Sequence, residues 1–210
     1  MSKLFRMDSP LMRFLTKIAD LMVLNILFCV TSIPLITIGA SWTALYSVTL
    51  KMVRDEEGSV SRSYFRSFRQ NFRQATLLWL GVLVVLALLV LDIRVLNGMA
   101  GGTAPGLLRV GVEILALLGI MVLQYLFPSL ARFEASLADT LKNACIMALA
   151  HLPKTALMTA AVVGAVWITL INNTTIAVGL MVWPLIGFSL MAFGNSGILR
   201  KIFDNYVPKA

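Results

Sequence analysis

"SIPLITIGASWTALYSVTL" occupies residues 32–50, inside thirty consecutive residues, 21–50, that carry no charge. Thirty helical residues would reach ~45 Å, too long for one hydrocarbon core of ~30 Å and too short for two full crossings. Either one overlong span runs through the stretch, or the chain turns back within it. The distribution of positive charge separates the two. A single crossing over 14–50 would put Lys3, Arg6, Arg13 and Lys17 on the opposite side from the basic segment 51–74. A reversal near 34–39 leaves only Arg94 and Arg109, of the 18 Lys and Arg, on the far side. The positive-inside rule favours the reversal, with both termini cytoplasmic.

The residues suit that turn. Pro34 cannot continue a helical hydrogen-bond ladder and pushes Ile33 toward extended backbone. Gly39 gives backbone freedom, and Ser41 is expected to cap a new helix. That second helix is short, a shallow span or a re-entrant half-helix. Irregular backbone at membrane depth survives only when buried in protein or facing a wet cavity. Thr37, Gly39, Ser41 and Thr43 therefore form a candidate binding element, as in transporters built on broken helices. The plainer reading, which is preferred, is a tight hairpin whose small residues let helices pack closely.

The totals agree with a membrane protein. Of 210 residues, 59% are hydrophobic and 13% charged, and mean hydropathy is +0.86, whereas soluble domains carry about a quarter charged residues. The expected fold is all-α: a single polytopic helical bundle over 1–210 with about six membrane segments. The later spans fall at 75–91, 108–127, 156–171 and 175–193, the last kinked at Pro184. A glycine-rich outer loop follows the third span, and "NNTT" makes a short outer turn. The two cysteines, Cys29 and Cys145, build no disulfide framework. The first apolar segment is read as retained, because its uncharged run continues past Cys29 into a basic segment.

Between the second and third spans, "SVSRSYFRSFRQNFRQ" (59–74) is a basic amphipathic helix. At 100° per residue Tyr64, Phe65, Phe68 and Phe72 share one arc, and Arg62, Arg66, Arg69 and Arg73 the next. Such a helix suits an inner membrane surface with anionic lipids, or a docking site for a cytoplasmic partner. It is no nucleic-acid site, since it runs directly into a span. Gly58 is the expected cap of the helix before it. Segment 129–154 returns to the cytoplasm as a helical loop beginning at Pro128.

Polar residues within spans are suspects by default. Asp20, Asn25, Glu113 and Gln124 are the candidates. Ion pairing is the preferred reading for Asp20, near Lys17, and for Glu113, four residues after Arg109. No phosphate loop, nucleophile elbow or metal-ligand cluster occurs, so no cofactor, metal or catalytic residue is assigned and enzymatic function is the minor hypothesis. His151, the only histidine, reads as a helix-end residue. "EASLAD" with "LP" thirteen residues after Asp139 resembles the cytoplasmic coupling loop of ABC permeases at Glu134, Ala135, Asp139, Leu152 and Pro153. It departs at Ser136 and Thr140, and chance likeness is the preferred reading.

Four stretches together, "KIADLMVLNILF", "PLITIGASWTALYSVTLKMVRDEEG", "SYFRSFRQNFRQAT" and "ARFEASLADTLKNACIMALAHLP", resemble the YesL-like family of bacterial integral membrane proteins. The resemblance covers nearly the whole chain and supplies no catalytic or binding residues. It implies a cytoplasmic-membrane location and a role in carbohydrate or oligosaccharide uptake or its regulation, beside ABC transporter components. The leading expectation is an accessory or regulatory subunit working through 51–74 and 129–154. The alternative is a small stand-alone transporter or membrane binding protein using the break at 34–41.

Overall fold

The computed structural model describes residues 10–56, 58–98 and 103–206. Lys3, Arg6 and the tip of the expected outer loop at 99–102 lie outside the described residues. Within them the chain is helical throughout: α1 (Pro10–Thr31), α2 (Ile38–Met52), α3 (Val60–Gly98), α4 (Thr103–Arg132), α5 (Leu137–Ala150), α6 (Leu152–Leu170) and α7 (Asn173–Phe203). All of these except α2 and α5 are long and apolar enough to cross a membrane. Their outward faces are apolar as well. Leu77, Val84 and Leu88 on α3, and Leu108 and Leu115 on α4, are each more than half exposed. A surface of this kind is untenable in water and ordinary in lipid.

The chain does reverse after α1. Thr31 ends that helix, Pro34 is extended (φ −73°, ψ 113°), and Leu35–Thr37 makes one 3₁₀ turn into α2. The two helices run antiparallel: Thr31 meets Ser41 at the turn, and Lys17 reaches the Met52 carbonyl at the other end. Ser41 does not cap α2. The helix starts three residues earlier, at Ile38, and Ser41 back-bonds to the Thr37 carbonyl at 3.1 Å. Thr43 and Thr49 do the same to Gly39 and Leu45. Hydroxyls within a helix satisfy themselves this way without water.

The shortest of the expected membrane segments is the hub of the fold. Most of α2 is buried, including Ala40, Ala44, Leu45, Val48 and Met52. It packs against α1, α3, α4 and the second half of α7. At Gly39 the approach is closest: a Cβ there would lie 2.5 Å from the Ala75 carbonyl oxygen and 2.6 Å from Trp79 Cβ. The glycine serves packing and not a special φ, since it lies in regular helix.

Two boundaries differ from expectation. α2 ends near Met52 and not at Gly58: Asp55 takes the left-handed position (φ 55°), Glu56 N–H donates to the Lys51 carbonyl and Asp55 N–H to that of Met52. This is a Schellman cap with aspartate where glycine is usual. The basic helix runs directly into the third span, as expected, and the two form one 39-residue rod, ~58 Å at 1.5 Å per residue. The other boundary is that of α4, which runs through Pro128 to Arg132, because Tyr125, Leu126, Phe127 and Leu130 are buried around the missing backbone bond.

Pro184 does distort α7, as a π-turn over Trp183–Gly187. "NNTT" opens that helix with a capping box between Asn172 and Thr175. At one end of the bundle several elements converge. Lys17 pairs with Asp55, Arg54 with Asp204, Arg200 with the Val53 carbonyl, and the Phe133 ring with Phe203. The Tyr206 hydroxyl lies 3.3 Å from His151 Nε2 at the same end.

Candidate functional site

The break at 34–41 is filled by the protein itself. Thr37 Oγ1 donates within reach of the Thr31 and Pro34 carbonyls, at 2.5 and 2.7 Å. Ser41 Oγ and the Tyr64 hydroxyl both meet Thr31 Oγ1, at 2.9 and 2.6 Å. Trp79 Nε1 donates to the Leu35 carbonyl at 2.7 Å. Thr43 is satisfied within its helix, and Gly39 is pressed against α3. The hydroxyls of Thr31, Thr37, Ser41 and Thr43 are thus engaged internally, as the close-packed hairpin reading expects, while Ser32 Oγ is buried without a partner. Thr31, the centre of this network, was not anticipated; its only sequence signal is a hydroxyl three residues before Pro34. Tyr64 was placed on the membrane-facing arc but is fully buried.

The four intramembrane candidates part ways. Asn25 is fully buried against the π-turn: Nδ2 donates to the Trp183 and Pro184 carbonyls at 2.9 and 2.6 Å, and Oδ1 accepts from Ser189 N–H at 2.9 Å. Glu113 pairs with Arg109 at 3.0 Å, four residues apart on an exposed face. Asp20 is half-buried, while neighbouring Lys17 bonds Asp55 at 2.5 Å, 38 residues on. That ammonium holds the Asp55 carboxyl below its ordinary value, first by the hydrogen bond and then by charge. Gln124 is buried and donates to Thr159 Oγ1 at 2.7 Å, but its Oε1 has no partner.

Other atoms of Gln124 line a space walled largely by aromatic rings. A cavity of about 570 Å³ lies among α2, α3, α4, α6 and α7, walled by Trp42, Trp79, Phe127, Trp183 and Phe188. Its polar lining is Gln124, Tyr46 and Asn195, with the Tyr46 hydroxyl turned toward the Asn195 side chain. The rings brace one another: Phe28–Trp42 centroids lie 4.9 Å apart and Trp183–Phe188 5.1 Å. None of its three tryptophans could be assigned from spacing, since they sit on three helices far apart in the chain.

On the polar surface, Arg62, Arg66, Arg69 and Arg73 are exposed, as are Phe65 and Phe72, whereas Phe68 packs partly into the core. Beside this face α3 meets the break between α4 and α5. Gln74 Nε2 donates to the Ala135 carbonyl at 3.4 Å. Ser136 caps α5 by accepting from Asp139 N–H at 3.2 Å. Gln70, Asn71 and Gln74 from α3, and Arg132, Glu134 and Ser136 from the break, line a polar groove of about 620 Å³. Among the described residues no three His, Cys, Asp or Glu side chains cluster for a metal. Cys29 and Cys145 are free thiols.

The family described as "Protein of unknown function, DUF624" matches residues 21–93, the hairpin, the basic helix and most of the rod that follows. The chain is also 26% identical over 159 residues to a Bacillus subtilis (strain 168) protein titled "Uncharacterized protein YesL", covering 75% of this chain and 74% of that one. No solved structure matches it. The two matches bear out the YesL-like resemblance.

Proposed function

We propose, proceeding from a YesL-like helical membrane protein, that the chain is an accessory or regulatory subunit of carbohydrate uptake and works by protein contact rather than by catalysis. On this reading it sits in the bacterial cytoplasmic membrane with both termini inside. One observation supports contact over solute binding at the hairpin. The two segments expected to carry partner contacts, 51–74 and 129–154, contribute to one polar groove, while the hydroxyls at 34–41 are taken up internally. A groove lined by amides, one guanidinium and one carboxylate suits a polar partner surface of the rim type, where specificity is set by complementary charge. Next to it the four arginines suit anionic lipid headgroups.

A photoreactive residue at Gln70, in cells grown on an oligosaccharide, tests this. Crosslinking to an ABC transporter component, lost when Glu134 is replaced by Lys, is the expected result. Recovery of the chain alone in repeated experiments overturns the reading.

A further inference from the structure

We propose that the furrow between α6 and α7 is a site for one anionic phospholipid, with an acyl chain seated along the two helices and the headgroup phosphate at Lys154 and Lys201. The site lies apart from the arginine face of α3 and from the partner groove, and it depends on neither.

Two recesses meet there. The first, about 620 Å³, is lined by residues between 157 and 169 on α6 and between 174 and 198 on α7. Its lining is almost wholly apolar, and Ala161, Ala165, Gly187 and Gly194 contribute little bulk to it. Along α6 it covers ~18 Å at 1.5 Å per residue, more than half of a ~30 Å hydrocarbon core and so long enough for an acyl chain of one leaflet. The second recess continues from the first, since Leu157, Gly194 and Ile198 line both. There the lining turns basic: Lys154, Arg200 and Lys201 face the single carboxylate of Asp204. A Cβ on Gly194 or Gly197 would meet nothing within 4 Å, so the junction is open.

Charge selects the occupant. Asp204 is already held by Arg54, and Arg200 donates to the Val53 carbonyl at 2.9 Å. Lys154, half-buried, and Lys201, exposed, have no ion-pair partner among the described residues. An apolar trough that ends on two unmatched ammonium groups is complementary to a molecule with a hydrocarbon chain and a net negative head. A second copy of this chain, docked about a twofold axis, would instead bring the same lysines face to face.

The test reconstitutes the full-length protein in nanodiscs of phosphatidylcholine and phosphatidylglycerol, with a diazirine in the acyl chain of one lipid or the other. Labelled positions are read by peptide mass spectrometry, and exposed Leu88 of α3 and Leu115 of α4 report ordinary lipid contact. Relative to those two, phosphatidylglycerol should label 157–169 and 174–198 at least about fivefold more than phosphatidylcholine does, the factor one lysine contributes at an anionic surface. Lys154→Gln together with Lys201→Gln should remove the preference. Gly194→Leu, which fills open space rather than a packed contact, should lower phosphatidylglycerol labelling of the furrow and leave α3 and α4 unchanged. Equal labelling by both lipids marks an ordinary crevice and overturns the proposal. So does a preference that outlasts both lysines, or a furrow that neither lipid labels, which marks it as covered by another helix. Should the lysine variant not fold, labelling that Gly194→Leu fails to lower overturns the proposal equally.

Discussion

The side-chain amide of Asn25 bonds the backbone N–H of Ser189 at 2.9 Å across the α1–α7 interface, while its nitrogen serves the Trp183 and Pro184 carbonyls. A π-turn shifts backbone partners by one residue, and Pro184 has no N–H to give. One amide, with a donor end and an acceptor end, answers groups of both kinds. Asn25→Leu should therefore lower stability by about 2–4 kcal/mol, since it strands several buried backbone groups. Thermal unfolding in mild detergent measures this. Asn25→Asp should be damaging too, because a carboxylate would face two carbonyl oxygens. Unfolding temperatures equal to that of the parent would refute the role.

Gly39 lies where α2 and α3 nearly touch. A methyl group there would meet the Ala75 carbonyl oxygen at 2.5 Å and Trp79 Cβ at 2.6 Å, and neither backbone nor Cβ can swing aside. Gly39→Ala should cost about 1–3 kcal/mol by overpacking. Gly81→Ala, with nothing within 4 Å, should be neutral or slightly stabilising through helix propensity. The contrast between the two in one unfolding assay separates packing from propensity.

Asp55 combines a left-handed backbone with an ion pair to Lys17. Asp55→Gly loses the pair but suits the backbone; Asp55→Ala loses the pair and strains it. The glycine variant should therefore be more stable than the alanine one by about 1 kcal/mol. The carboxyl is held below its ordinary value, so its contribution is present above that value and fades as pH falls through the lowered one. The effect is small, because the side chain is 78% exposed and screened. Parent and Asp55→Asn should differ slightly near neutrality and converge in acid.

The exposed arginine face on α3 should govern lipid company. Replacing Arg62, Arg66, Arg69 and Arg73 by Gln removes attraction worth about 1 kcal/mol per residue at an anionic surface. Purified protein should then carry less anionic lipid relative to zwitterionic lipid, with folding unchanged. An unaltered lipid ratio by mass spectrometry would refute headgroup contact.

The helical class, the membrane setting and the reversal at Pro34 were all legible in the sequence. Long apolar runs have no aqueous alternative, a proline with a nearby glycine marks a break, and cations avoid one face of a bilayer. The helix through Pro128 and the cap at Asp55 were not legible, since in each case buried neighbours or a distant lysine overrule the local preference. The four arginines that the period of α3 sets on one arc are all exposed. Tyr64, set on the aromatic arc, is buried, because a period shows which residues share a face and not what that face meets.

Sequence by itself determined which segments are apolar, where the chain turns and which polar residues fall within apolar segments. Only the tertiary structure decided that the shortest of the expected membrane segments is the hub. It also decided that the hydroxyls of Thr37 and Ser41 are taken up by neighbours at the break, and that Gln124 Oε1 is buried without a partner. The reason is physical. Hydrophobic patterning is local and additive along the chain, whereas hydrogen-bond satisfaction is settled between groups brought together from α1, α4, α6 and α7.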